Sequence, residues 1–122
     1  MTARGVFERA LALLGYDTVT GVSGEAALMQ RALQFCNQIY SDLHYLHTDV
    51  DFAPLLGLDM QINLPGRAVY TVMPYGVAML LAQSENDADR QQLFAQMYKS
   101  RRASVARHYR VADVLPKTGE AL

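Results

Sequence analysis

The side chains best suited to chemistry lie between Cys36 and Asp51. His44, His47, Asp49 and Asp51 bring two imidazoles and two carboxylates into one short stretch. His44 and His47 can share a helical face. Their spacing follows neither the Cys/His patterns of zinc nor the alternating oxygen ligands of a calcium loop. A structural or solvent-facing role is expected for them, and no metal or other cofactor is implied. Ser41, Asp42 and His44 crowd one helix, too close for a nucleophile, a base and a separate orienting group. Asp87 and Asp89 resemble a carboxylate pair, yet both fall at a helix start, where the dipole favours acids. There is no glycine-rich phosphate loop and no G-x-S-x-G elbow. Cys36 is the single cysteine, so it has no partner for an intramolecular disulfide. It falls among apolar positions and reads as a small core residue. These residues predict a protein that is not an enzyme.

The cations offer a second kind of site. Lys99, Arg101, Arg102, Arg107 and Arg110 follow Asp89 with no further acid up to Val111. On a helical wheel, Lys99, Arg102, Arg107 and Arg110 spread over the side away from Leu93, Phe94, Met97, Tyr98 and Val105. Such a face complements the helix dipole, or it meets phosphates or an acidic partner surface. Four cations bind DNA weakly alone; repeated around a ring they line a channel. The formal net charge is −1, so any such attraction is local.

The elements that position these residues read as mostly α. With 122 residues, 51% of them apolar, the chain makes one domain with a core that needs no disulfide. A first helix is expected over 2–14, with Thr2 as cap and Gly15 as stop. A long helix is expected over 23–46, capped by Ser23, with Leu28, Ala32, Phe35, Cys36, Ile39, Leu43 and Leu46 on one face. At roughly 36 Å it is the piece along which the others should pack. A third helix is expected over 74–84, opened by Pro74 and apolar on most sides. A fourth runs from about Asp87 to Val111, capped by Asn86. The expected architecture is a small four-helix bundle, short, long, short, long, over residues 1–111, followed by a flexible tail over 112–122.

Residues 47–73 lack helical periodicity. Asp59–Leu64 and Ala68–Val72 can be extended around a Pro65–Gly66 turn, giving an irregular loop or a small β-excursion. An isolated hairpin is marginally stable, and this one is rich in apolar residues. Phe52, Leu55, Leu56, Leu58, Met60, Ile62, Leu64 and Tyr70 are therefore expected to contact a neighbouring subunit or partner, with Val114 and Leu115 anchoring the tail. No signal-peptide pattern is present, and no apolar run is long enough to span a bilayer. A cytoplasmic location, with no membrane contact, is the default.

Three stretches then carry a resemblance. They are VFERALALLGY with the long helix ending IYSDLHYL, FAPLLGLDMQINLPGRAVYTVMPYGVAMLLAQSEND, and DRQQLFAQMYKSRRASV. The chain resembles the head–tail connector (adaptor, head-completion) proteins of tailed bacteriophages and prophages over most of residues 4–106. The resemblance implies a structural subunit that is monomeric or oligomeric before assembly and forms a ring below the portal. Such a ring extends the DNA channel and offers a platform to a tail or stopper protein. It also implies non-specific contact with packaged DNA through Lys99, Arg102, Arg107 and Arg110, and a place in the virion neck or, before assembly, the host cytoplasm. A small helical DNA-binding regulator is the alternative, with the third and fourth helices as a helix-turn-helix. Against it, the would-be recognition helix starts with acids. A helical toxin–antitoxin or chaperone-like partner is a third option.

Overall fold

The computed structural model describes the backbone of residues 1–16 and 26–120, and the side chains of residues 1–16 and 28–108. Ser23 lies outside the described residues. The chain is mostly helical, and the described residues contain no strand. In α1 (Ala3–Leu13), Thr2 is the cap, its hydroxyl accepting from the Gly5 N–H at 3.2 Å. Gly15, at φ +88°, ends the helix by letting the Gly15 and Tyr16 amides turn back to the Ala12 and Leu11 carbonyls. In α2 (Ala26–His44), Leu28, Ala32, Cys36, Ile39 and Leu43 are buried along one face. Phe35 is half-buried, and Leu46 lies beyond the helix end.

Residues 68–72, expected to be extended, are helical instead. They belong to α3 (Gly66–Thr71) and its C-cap, and Ala68, Val69 and Val72 are buried. That set has helical spacing; strand alternation would have paired Tyr70 with Ala68 and Val72. Packing overrides the β-preference of these side chains. Pro65–Gly66 is accordingly a helix start rather than a hairpin turn. The helix breaks before α4 (Met73–Ser84) because Pro74 has no N–H to give the Tyr70 carbonyl. Val72, at φ −119°, is the joint.

The turn after α4 explains a shifted cap. Asn86 takes φ +60°, and the Asn86 and Asp87 amides return to the Gln83 and Ala82 carbonyls. Asn86 therefore closes α4, and Asp87 caps α5 (Ala88–Glu120), its Oδ1 accepting from the Arg90 N–H at 3.1 Å. α5 continues past its expected end near Val111, since no proline or glycine interrupts the chain before Pro116.

The hub is α4 rather than α2, for α4 touches every other helix. α2 has one apolar face, whereas α4 is buried almost throughout from Met73 to Ala82. An element apolar on most sides is the one that can lose water on all of them. Gly76 lets α2 and α5 close on α4. A Cβ there would lie 2.8 Å from Ile39 Cδ1 and 2.9 Å from Tyr98 Cε1. No described helix is long and apolar enough to cross a membrane.

Candidate interaction surface

The excursion between α2 and α3 is pinned to its own helices. The Asn37 side chain donates to the Leu55 carbonyl at 2.9 Å and accepts from the Leu55 amide at 2.7 Å. The Asn63 amide donates to Tyr40 Oη, and the Phe52 amide to Tyr45 Oη. Residues near 60 pair with the start of the chain rather than with 68–72. Thr2 and Gln61 form an isolated antiparallel bridge, the Arg4 amide donates to the Leu58 carbonyl at 2.8 Å, and the Ile62 amide donates to the Met1 carbonyl at 3.0 Å. Arg4 and Asp59 add an exposed ion pair at 2.8 Å. It holds the Asp59 carboxyl below its ordinary range, and with both side chains open to solvent it fixes geometry more than stability.

This pinning divides the residues expected at a partner surface. Leu55, Leu58 and Ile62 are buried in the chain's own core, so they are not available to a partner. The reason lies in contacts between segments: Asn37 fixes the Leu55 backbone, and the bonds from Arg4 to Leu58 and from Ile62 to the Met1 carbonyl draw in Leu58 and Ile62. Phe52 and Leu64 are half-buried, with Phe52 edge-on to Tyr40 at 5.0 Å and to His44 at 5.5 Å. Leu56 is 83% exposed, Met60 44% and Tyr70 49%. The Leu56 amide meets Met60 Sδ at 3.2 Å, so these two residues adjoin. Val50, which the sequence reading did not single out, is 68% exposed. Val114 and Leu115 lie outside the described side chains.

Four of the groups that looked chemical make contacts inside the fold, and Asp49 and Asp51 are exposed. His44 Nε2 donates to the Val50 carbonyl at 2.7 Å, and His47 Nδ1 donates to the Leu43 carbonyl at 2.8 Å. Among the described residues, no three His, Cys, Asp or Glu side chains are grouped as a metal site requires. Asp42 faces α5, where it accepts from Tyr98 Oη at 2.5 Å and from the Arg102 fork at 2.7 and 3.3 Å. This tie between α2 and α5 raises the Tyr98 phenol, through burial first and Asp42 second. Cys36 is fully buried, with Sγ 3.7 Å from the Ala3 carbonyl, and burial pushes its thiol up to about 12.

Arg102 is committed to Asp42, Lys99 and Arg107 are exposed, and the Arg110 side chain lies outside the described ones. A different basic site emerges between α1, α3, α4 and α5. Arg9, Ala12, Leu13, Tyr70, Thr71, Pro74, Tyr75 and Arg101 line a cleft of about 430 Å³. The Arg101 guanidinium carbon lies 4.0 Å from the Tyr75 ring centre, and that of Arg9 lies 5.5 Å from Tyr70. Sequence reasoning missed this cleft because its residues come from four separate elements. The linear traces were Arg101 within the basic half of α5 and Tyr70 among the expected contact residues.

Comparison with known protein families, with curated proteins and with solved structures finds no match.

Proposed function

We propose that the chain is a head–tail connector subunit of a tailed bacteriophage or prophage. It assembles as a ring under the portal, extends the DNA channel and supports the tail or stopper protein. Its role is structural, and its place is the virion neck. The observation that carries the proposal is the pinned excursion. Its backbone is held by Asn37, Tyr40, Tyr45 and the start of the chain, while Leu56 and Met60 face solvent. Apolar side chains presented on an immobilised loop lose little further entropy on docking, so they suit a contact repeated around an assembly. The resemblance over residues 4–106 supplies the kind of assembly. With α3 taken as the lead-in to α4, the helix order short, long, short, long fits the helical domain that the resemblance implies. Among the described side chains, Lys99 and Arg107, exposed on α5, are the predicted cations left to face packaged DNA. α4 and α5 form an antiparallel hairpin, with Tyr75 beside Phe94 and Arg101, which gives no support to a regulator with crossed reading helices.

The test is electron microscopy of portal-bearing heads, from the phage or prophage encoding the chain, after addition of the purified protein. A new ring of density beneath the portal is expected. Heads left unchanged at saturating protein would overturn the proposal.

A further inference from the structure

We infer that the Arg9–Arg101 cleft receives the acidic α4–α5 turn of a second copy of the chain, in a head-to-tail contact. The inference rests on the ring-forming role proposed above and names the two surfaces that meet. Both guanidinium groups lie over tyrosine rings, Arg101 on Tyr75 and Arg9 on Tyr70. Stacking restrains an arginine while leaving its in-plane N–H groups accessible; Arg101 Nη1 donates to the Thr71 carbonyl at 3.3 Å, which leaves the rest of its fork for a carboxylate. Among the described residues, no acid lines the cleft. Arg67 adds a third positive charge in the adjoining recess, beside Thr71, Arg101 and Ser104.

The complementary charge lies at the other end of the α4–α5 hairpin. Glu85, Asp87 and Asp89 surround the turn, with Glu85 and Asp89 exposed. Arg90, the one cation there among the described residues, is engaged by Asp87 at 3.5 Å and by the Leu14 carbonyl at 2.5 Å. The turn therefore keeps a negative balance. Asp89 and Arg101 lie on one continuous helix, about 18 Å apart along its axis at ~1.5 Å per residue. A rigid helix cannot bring its own turn into its own cleft, so only another copy can supply it. A contact between two different surfaces is heterologous, and repeated it closes a ring or extends a filament. Ala12, Leu13 and Pro74 give the cleft an apolar wall. That wall suits a carboxylate on a methylene stem better than the convex, uniformly charged backbone of a duplex.

Sedimentation of the full chain at low salt, up to about 1 mM, reads the contact directly. The wild-type chain should self-associate, and added salt should weaken the association. The Arg9→Glu/Arg101→Glu pair and the Glu85→Lys/Asp89→Lys pair should each associate at least tenfold more weakly. An equimolar mixture of the two should associate again, because each then offers the surface the other lacks. Circular dichroism checks folding, and Arg9→Gln/Arg101→Gln replaces the first pair if charge reversal unfolds it. A monomeric wild type, variants that associate like wild type, or a mixture that stays apart would each overturn the inference. So would a cleft variant that loses only binding of a duplex oligonucleotide. None of these outcomes decides whether the chain joins portal-bearing heads, so failure here is distinct from failure of the connector role.

Discussion

Replacing Gly76 by alanine sets two physical effects against each other. Gly76 lies inside α4, where alanine is intrinsically better by about 1 kcal/mol. Were the helix loosely packed, the variant would be the more stable. The structure predicts the opposite. The new methyl would stand 2.8 Å from Ile39 Cδ1, 2.9 Å from Tyr98 Cε1 and 3.0 Å from Ile39 Cγ1. Ile39 can swing its terminal methyl. Tyr98 cannot yield as easily, because its hydroxyl is held by Asp42, which Arg102 holds in turn. Overpacking of this kind costs roughly 1–3 kcal/mol. Net of the helix preference, the loss should be about 1 kcal/mol, lowering Tm by about 4 °C. Urea denaturation at constant m measures it. Adding Asp42→Ala frees the tyrosine, so the two substitutions together should cost less than their separate costs combined. A Gly76→Ala protein more stable than wild type would refute the claim that α2 and α5 close on α4 at this point.

Adjacent leucines in the excursion should part company. Leu55→Ala, in the core, should cost about 2–4 kcal/mol in denaturation, whereas Leu56→Asp should change stability by under about 0.5 kcal/mol yet abolish incorporation into heads. Equal stability costs would contradict the division between them. Cys36 should also give an alkaline dependence of known sign. Burial keeps the folded thiol protonated up to about 12, while the unfolded thiol ionises near ~8.5. The unfolded state releases the proton first, so this contribution is intact below ~8.5 and declines by up to about 1.4 kcal/mol per pH unit above it. Tyr98 and Tyr16 are raised as well, so the Cys36 share is read as the difference between wild type and Cys36→Ala in pH-dependent denaturation. Parallel curves would contradict it.

The legible parts of the fold were those decided within one segment. The Thr2 cap, the Gly15 stop and the buried face of α2 follow from spacing and local hydrogen bonding. What escaped was decided between segments. The 68–72 stretch carries strand-favouring residues, but packing against the other helices buries Ala68, Val69 and Val72. Residues near 60 found an edge partner in Thr2 rather than in their chain neighbours. At the candidate surface, composition marked the excursion as apolar. It carried no sign that Asn37 would turn Leu55 inward and leave Leu56 outside. The Arg–Tyr cleft had no sequence spacing at all, since packing alone brings Arg9 to Tyr70 and Arg101 to Tyr75.

Hydrogen exchange at single amides, on the free chain and on chain bound to portal-bearing heads, tests the central claim most directly. In the free chain the Leu55 and Ile62 amides, donors to Asn37 and to the Met1 carbonyl, should be protected, and the Leu56 amide, whose partner is the weak Met60 sulfur acceptor, should exchange faster than both. On the heads, protection should spread to Leu56 and Met60. An excursion that exchanges freely in isolation, or a Leu56 amide equally open in both states, would contradict a pinned loop that presents its outer face to an assembly.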